Sequence, residues 1–247
     1  MLGFRERVAE LKARVRAMES PYLVGLADGT MTREEFVETQ IQFLFAVVFF
    51  SRPMAVLGAR IPRPEVRFSV LHNVLEEHGE GKMSLSHERT FLELLERLDV
   101  ERAEVERRAL WPEVRVFNAT LTGVCTHDDV PTGVAMMGII EDLFSGISAS
   151  IGESIVARGW LGADEIVHYA THEELDVEHA DEFYQIIEAY HGASERGRYQ
   201  VEQGLELGAY VFLQMYRGLW EARARRVERS VGGPHSLADG WYLDEAF

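Results

Sequence analysis

Apolar positions recur at intervals of three and four along almost the whole chain, and no convincing alternating strand interrupts them. Residues 3 to 19 form an amphipathic helix ended by Ser20-Pro21, and a short helical turn follows near Tyr22 to Ala27. Thr32, with Glu35 three residues on, reads as a capping box. It opens a helix through a Phe-rich core to about Leu57, kinked at Pro53. Pro62 and Pro64 mark the next boundary. From Glu65 the stripe Val66, Val70, Asn73, Glu77, Glu80, Ser84, His87, Phe91, Leu94, Leu98 keeps its spacing without a slip. That phase predicts one continuous helix through Gly79 and Gly81, although each glycine costs about 1 kcal/mol there. Residues 101 to 122 are helical around Trp111-Pro112, and Cys125 to Pro131 reads as a polar loop. Further helices are expected over 133–158, 163–191 and 199–228. No repeat or linker divides them, so residues 1–230 read as a single all-α domain of seven or eight helices, followed by a tail at 231–247.

Three of these stripes carry chemistry where core residues are expected. On the helix over 163–191, His172, Asp176 and His179 fall at i, i+4 and i+7, and the stripe continues through Tyr169, Phe183, Ile186 and Tyr190. On the helix over 133–158, the stripe Val134, Met137, Glu141, Phe144, Ser148, Ile151, Ile155 contains a single acid, Glu141. A carboxylate satisfied by a buried arginine or by backbone is the alternative reading of that acid. On the third stripe Glu80 and His87 lie two turns apart on one face, with Glu77 as the fallback for Glu80. Glu76 and His78 read as the solvated side. His72, His127, His168, His191 and His235 sit off the stripes or in loops and receive no role.

The inward set is thus Glu80, His87, Glu141, His172, Asp176 and His179. Buried ionisable groups are costly unless paired or bound to a cation. Imidazole and carboxylate without thiolate suit iron or manganese, and also zinc. Six such ligands exceed what one open site uses, whereas two metals bridged by a carboxylate use them all.

Composition narrows the partners. The net charge of −16 argues against nucleic acid or an anionic membrane surface. The Arg-rich stretch from Arg223 to Arg229 reads as a solvated helix end. The apolar run Phe43 to Phe50 is too short to span a bilayer. Cys125 is the only cysteine, so no disulfide or multi-thiolate metal site is available, and as a loop residue without an evident base it makes a poor nucleophile. No signal peptide is evident, and a cytoplasmic location is expected.

Glu80-x6-His87, then Glu141, then His172-x3-Asp176-x2-His179 resembles the haem-oxygenase-like di-iron oxidase and oxygenase superfamily, whose members share the architecture of TenA-type thiaminases and PqqC-type oxidases. The resemblance spans roughly residues 20 to 220 and implies a seven-helix fold of that type. It also implies two iron ions held by Glu80, His87, Glu141, His172, Asp176 and His179, with dioxygen as co-substrate. Members oxidise small carboxylate- or amine-bearing metabolites by C–C cleavage, desaturation or N-oxygenation. One branch consumes its own side chains in making p-aminobenzoate, but the lysine this requires lies about ten residues after Glu141, where this chain has Ile151. Ferritin-like proteins need Glu-x2-His twice and match less well. A metal-free TenA- or PqqC-like enzyme and a non-catalytic iron-binding protein are the competing readings. Phe43, Phe45, Phe49, Phe50 and Phe144 are candidate substrate walls, with Met136 or Met137 as gap fillers. Arg52 and Arg217 are candidates to receive a substrate carboxylate. Trp220, Trp241 and Tyr242 are candidates for a homodimer interface.

Overall fold

The computed structural model describes residues 3–229, without the side chains of Val167 and residues 170–178. Ten α-helices occur among the described residues: α1 Phe4–Val15, α2 Pro21–Asp28, α3 Arg33–Arg60, α4 Pro64–Glu77, α5 His87–Arg97, α6 Arg102–Arg107, α7 Pro112–His127, α8 Val130–Ala157, α9 Val167–Ala193 and α10 Glu195–Ala222. The all-α architecture is as expected, and the count exceeds seven or eight because two predicted helices are broken.

Local sequence explains where the helices start. Thr32 accepts a bond from Glu35 N at 3.2 Å while Glu35 Oε2 accepts from Thr32 N at 2.9 Å, the reciprocal pair that satisfies two orphan donors at the head of α3. Proline stands at the first turn of α2, α4 and α7, where its missing N–H loses nothing. Pro53 is accommodated inside α3, which continues to Arg60.

The first break overturns the continuous helix through Gly79 and Gly81. Gly79, Glu80 and Gly81 all have positive φ, at 63°, 52° and 85°. A side chain at Gly79 would meet the backbone of Leu85 and Ser86 at 2.7 Å, so only glycine allows the chain to double back here. Two short 3-10 turns bridge α4 to α5, and Ser86 caps the latter. The second break separates α6 from α7 at residues 108–111. Cys125, expected in a loop, lies buried inside α7.

Residues 223–229 are not a solvated helix end. They run back along the 104–113 segment, with Ala109 N donating to Val227 O at 2.8 Å and Arg229 N to Arg107 O at 3.0 Å. Arg225 pairs with Glu113 at 2.6 Å. Helix α10 therefore ends at Ala222, short of the expected 228.

Helix α8 is the central element, packed against both α9 and α10. Side chains at Gly204 and Gly208 of α10 would collide with the α8 backbone at 2.2 and 2.6 Å, so glycine sets this close approach. Helices α3 and α8 are long and apolar enough to cross a membrane by length and composition alone, but 67% and 72% of their most apolar stretches are buried within the bundle. Each fully buried Leu, Ile or Phe there contributes about 1.5–3 kcal/mol through its burial.

Candidate metal centre

The α8 stripe is buried throughout, from Val134 through Glu141 to Ile155. Asp142, one position off it, faces outward and receives Lys12 and the Tyr184 hydroxyl. Glu141 is 3% exposed and lines a narrow cavity of about 40 Å³, space for a few water molecules. Phe43, Phe50, Phe117, Phe144 and Phe212 form most of its walls, and its polar groups are Glu77, His87 and Glu141.

Two expected residues, His87 and Glu141, thus meet, and the second acid beside them is the fallback, Glu77. Glu80 is exposed in the left-handed turn, because the stripe slips where the helix breaks. The doubling back instead places Glu77 Oε2 2.9 Å from His87 Nδ1, with both side chains nearly buried. The Gly-Glu-Gly triplet was the available signal for this break.

His179 is buried as expected, its Nε2 2.9 Å from Glu76 Oε2. Glu76 also lies 3.3 Å from His72, so it is not a plain solvated charge. The side chains of His172 and Asp176 lie outside the described residues, although their backbone belongs to α9. Farther along α9 the buried face runs through Tyr184, Ile187 and His191, leaving Tyr190 exposed rather than on the core stripe.

The sequence stripes give His168 no role, yet it is fully buried beside the site. Its Nδ1 lies 3.0 Å from Thr90 Oγ1, and its ring stands edge-on to His87 at 6.0 Å. Sequence spacing contained a clue, since His168 precedes His172 by one helical turn. His191 proves to be a core histidine against Phe4 and Glu202.

The candidate substrate residues divide. Phe144 lines the cavity, with Phe43 and Phe50, whereas Phe45 is buried elsewhere in α3 and is not among the lining residues. Arg217 is largely exposed and pairs with Glu221 at 2.8 Å, so its apolar sequence surroundings were misleading. Arg52 lies over the Phe49 ring at 5.7 Å, outside the cavity lining. Trp220 packs against Gly25 and beneath Arg223 within the chain, and Trp241 and Tyr242 lie outside the described residues. Burial pushes the Cys125 thiol up to about 12, leaving a neutral, unreactive side chain.

Among the described residues, no group of three or more His, Cys, Asp or Glu is gathered closely enough to hold a metal. The donor types nevertheless fit iron. Two buried carboxylates and an imidazole share an aromatic cavity whose lining contains no Lys or Arg. A cation is one way to keep both acids ionised there.

A family model described as "Iron-containing redox enzyme" matches residues 37–211, which includes every cavity residue but Phe212 and all of the α9 candidates. The chain belongs to this family. Among curated proteins it resembles 4-aminobenzoate synthase of Chlamydia muridarum, 20% identical over 76% of this chain and 78% of the relative. The synthase of Nitrosomonas europaea is likewise 20% identical, over 78% and 81%. Among solved structures, a domain with a heme oxygenase-like fold from Shewanella denitrificans superposes with a TM-score of 0.73 at 16% identity, covering 89% of this chain and 91% of that one. A TenA homologue from P. horikoshii gives 0.71 at 12% identity, over 89% and 99%. At such identities these structures establish the haem oxygenase-like fold and nothing finer.

Proposed function

We propose that this chain is a non-haem di-iron enzyme that uses dioxygen to oxidise a small carboxylate- or amine-bearing metabolite. The single observation that carries this reading is the cavity itself, where Glu77, His87 and Glu141 face aromatic walls in a member of an iron-containing redox family. The proposed iron-holding residues are Glu77, His87, Glu141, His172, Asp176 and His179, with Glu77 replacing Glu80. Bound iron would supply the electrons that couple dioxygen reduction to substrate oxidation.

The chain's own contribution is placement and exclusion. Phe43, Phe50, Phe117, Phe144 and Phe212 keep bulk water from the acids and leave a narrow space suited to an apolar substrate portion. His87 Nδ1 lies 2.9 Å from Glu77 Oε2, and a cation held by these two groups would displace any proton between them on loading.

Self-consumption as in the p-aminobenzoate-forming branch is not part of this proposal. Ile151, at the position of that branch's lysine, is fully buried. The only lysines are Lys12 and Lys82, of which Lys12 pairs with Asp142 and Lys82 is exposed. A cysteine-dependent, metal-free hydrolase is disfavoured by the buried Cys125 thiol.

Anaerobic loading with Fe(II), followed by metal analysis, tests the proposal. Two irons per chain and a transient visible band on admitting oxygen are expected. Absence of iron uptake would overturn it.

A further inference from the structure

His179 presents its two ring nitrogens to different surroundings. Nε2 lies 2.9 Å from Glu76 Oε2. Nδ1 is buried and has no hydrogen-bond partner among the described atoms. A carboxylate accepting from this ring takes its proton from Nε2, which makes Nε2–H the tautomer that fits the contact. Neutral imidazole then carries its lone pair on Nδ1. A lone pair buried without a donor costs free energy, and a bound cation removes that cost.

Glu76 differs from Glu77 although they are neighbours. Glu77 lines the aromatic cavity with Glu141; Glu76 does not, and it remains partly exposed beside His72. Nearby, Asn73 donates through Nδ2 to Glu182 Oε2 at 2.8 Å, which adds a second polar tie between α4 and α9. The carboxylate of Glu76 is therefore held beside His179 by the packing of these two helices, not by the cavity.

We propose that Glu76 is a positioning residue. It holds His179 in the Nε2–H form and thereby presents Nδ1 to the metal. Carboxylate partners of this kind fix ring orientation and raise ligand basicity. The inference rests on His179 being an iron-holding residue, as in the reading above, and adds which atom binds and what orients it.

The test combines metal affinity with the state of the ring. In a chain carrying ¹⁵N-labelled histidine, the metal-free His179 should show protonated Nε2 and bare Nδ1. Zn(II), a diamagnetic probe, should shift Nδ1. Anaerobic chelator competition should show Fe(II) bound about 10- to 100-fold more weakly by Glu76→Ala. Glu76→Gln, whose amide oxygen still accepts from Nε2–H, should lose distinctly less. Equal losses in both variants would make Glu76 itself a ligand and overturn the positioning role, as would a Zn(II) shift at Nε2. Unchanged affinity in Glu76→Ala, with the unsubstituted chain loading iron normally, would overturn this inference alone. An unsubstituted chain that takes up no metal would overturn both readings. Should Glu76→Ala fail to fold, Glu76→Gln and the ¹⁵N spectra still decide.

Discussion

Two buried charged clusters in this bundle are built on opposite principles. At one, Arg108 is fully buried and bonds to Glu38 at 3.0 Å, to Glu104, and to Glu228 at 3.5 Å, so a fixed cation supplied by the chain holds α3, α6 and the 223–229 segment together. At the other, Glu77, His87 and Glu141 line an aromatic cavity that no Lys or Arg of the described residues enters. The first cluster is closed by its own sequence. The second has the donors of a cation site without a permanent cation, and that difference separates a structural ion network from a candidate centre for chemistry. Burial of acids alone would not have distinguished them.

The largest expected effect comes from breaking the closed cluster. Arg108→Ala leaves Glu38 buried without its main counter-charge, and breaking a buried pair in this way costs about 3–5 kcal/mol. Urea unfolding should show the loss directly. A cost below about 1 kcal/mol would mean that the cluster is not a structural clamp.

The open cluster should respond to metal instead. A ligand that binds only the folded chain stabilises it by about 2.7 kcal/mol at a hundredfold excess over its Kd. Fe(II) under anaerobic conditions should therefore raise Tm in the wild type. Glu141→Gln removes a carboxylate from the cavity without emptying it. Its metal-free stability should stay within about 1 kcal/mol of wild type, while the metal-dependent rise in Tm disappears. A full metal response in Glu141→Gln would erase the distinction between the clusters.

The chain's spacing marks the open cluster and gives no sign of the closed one. The spacing of α8 marked Glu141 as the one acid in an apolar face, and unbroken helix geometry made that reading reliable. The same method chose Glu80 over Glu77 because it extended helical phase through Gly79 and Gly81, where three positive φ angles reset it. Positions on either side of the break, such as Asn73 and Phe91, are buried as the stripe required. Glu80 and Ser84 in its middle are exposed, and Val66 at its start is partly buried. His168 and Glu76 were passed over for another reason. Their contacts cross the bundle, from Thr90 of α5 to His168 and from His179 of α9 to Glu76, and spacing along one helix shows at most that His168 shares a face with His172. Arg108 was missed likewise, because its partners come from three separated segments.

The smallest expected effect concerns the acid within the closed cluster. Burial raises the Glu38 carboxyl above its ordinary value of 4.5, despite the hydrogen bond and charge of Arg108. The folded chain therefore binds this proton more tightly than the unfolded chain does. Below the unfolded value both states are protonated and no penalty exists. As pH rises from about 4.5 through the raised folded value, ionised Glu38 withdraws stability, and the loss is constant above that window. Gln resembles the protonated acid in shape and carries no such titration. Glu38→Gln should then cost less stability at pH 7 than at pH 4, the reverse of what a strongly favourable ion pair would give. Urea unfolding of both chains at the two pH values provides the comparison. A larger cost at pH 7 would show that Arg108 overcomes the burial of Glu38, making the closed cluster a net attraction as well as a clamp.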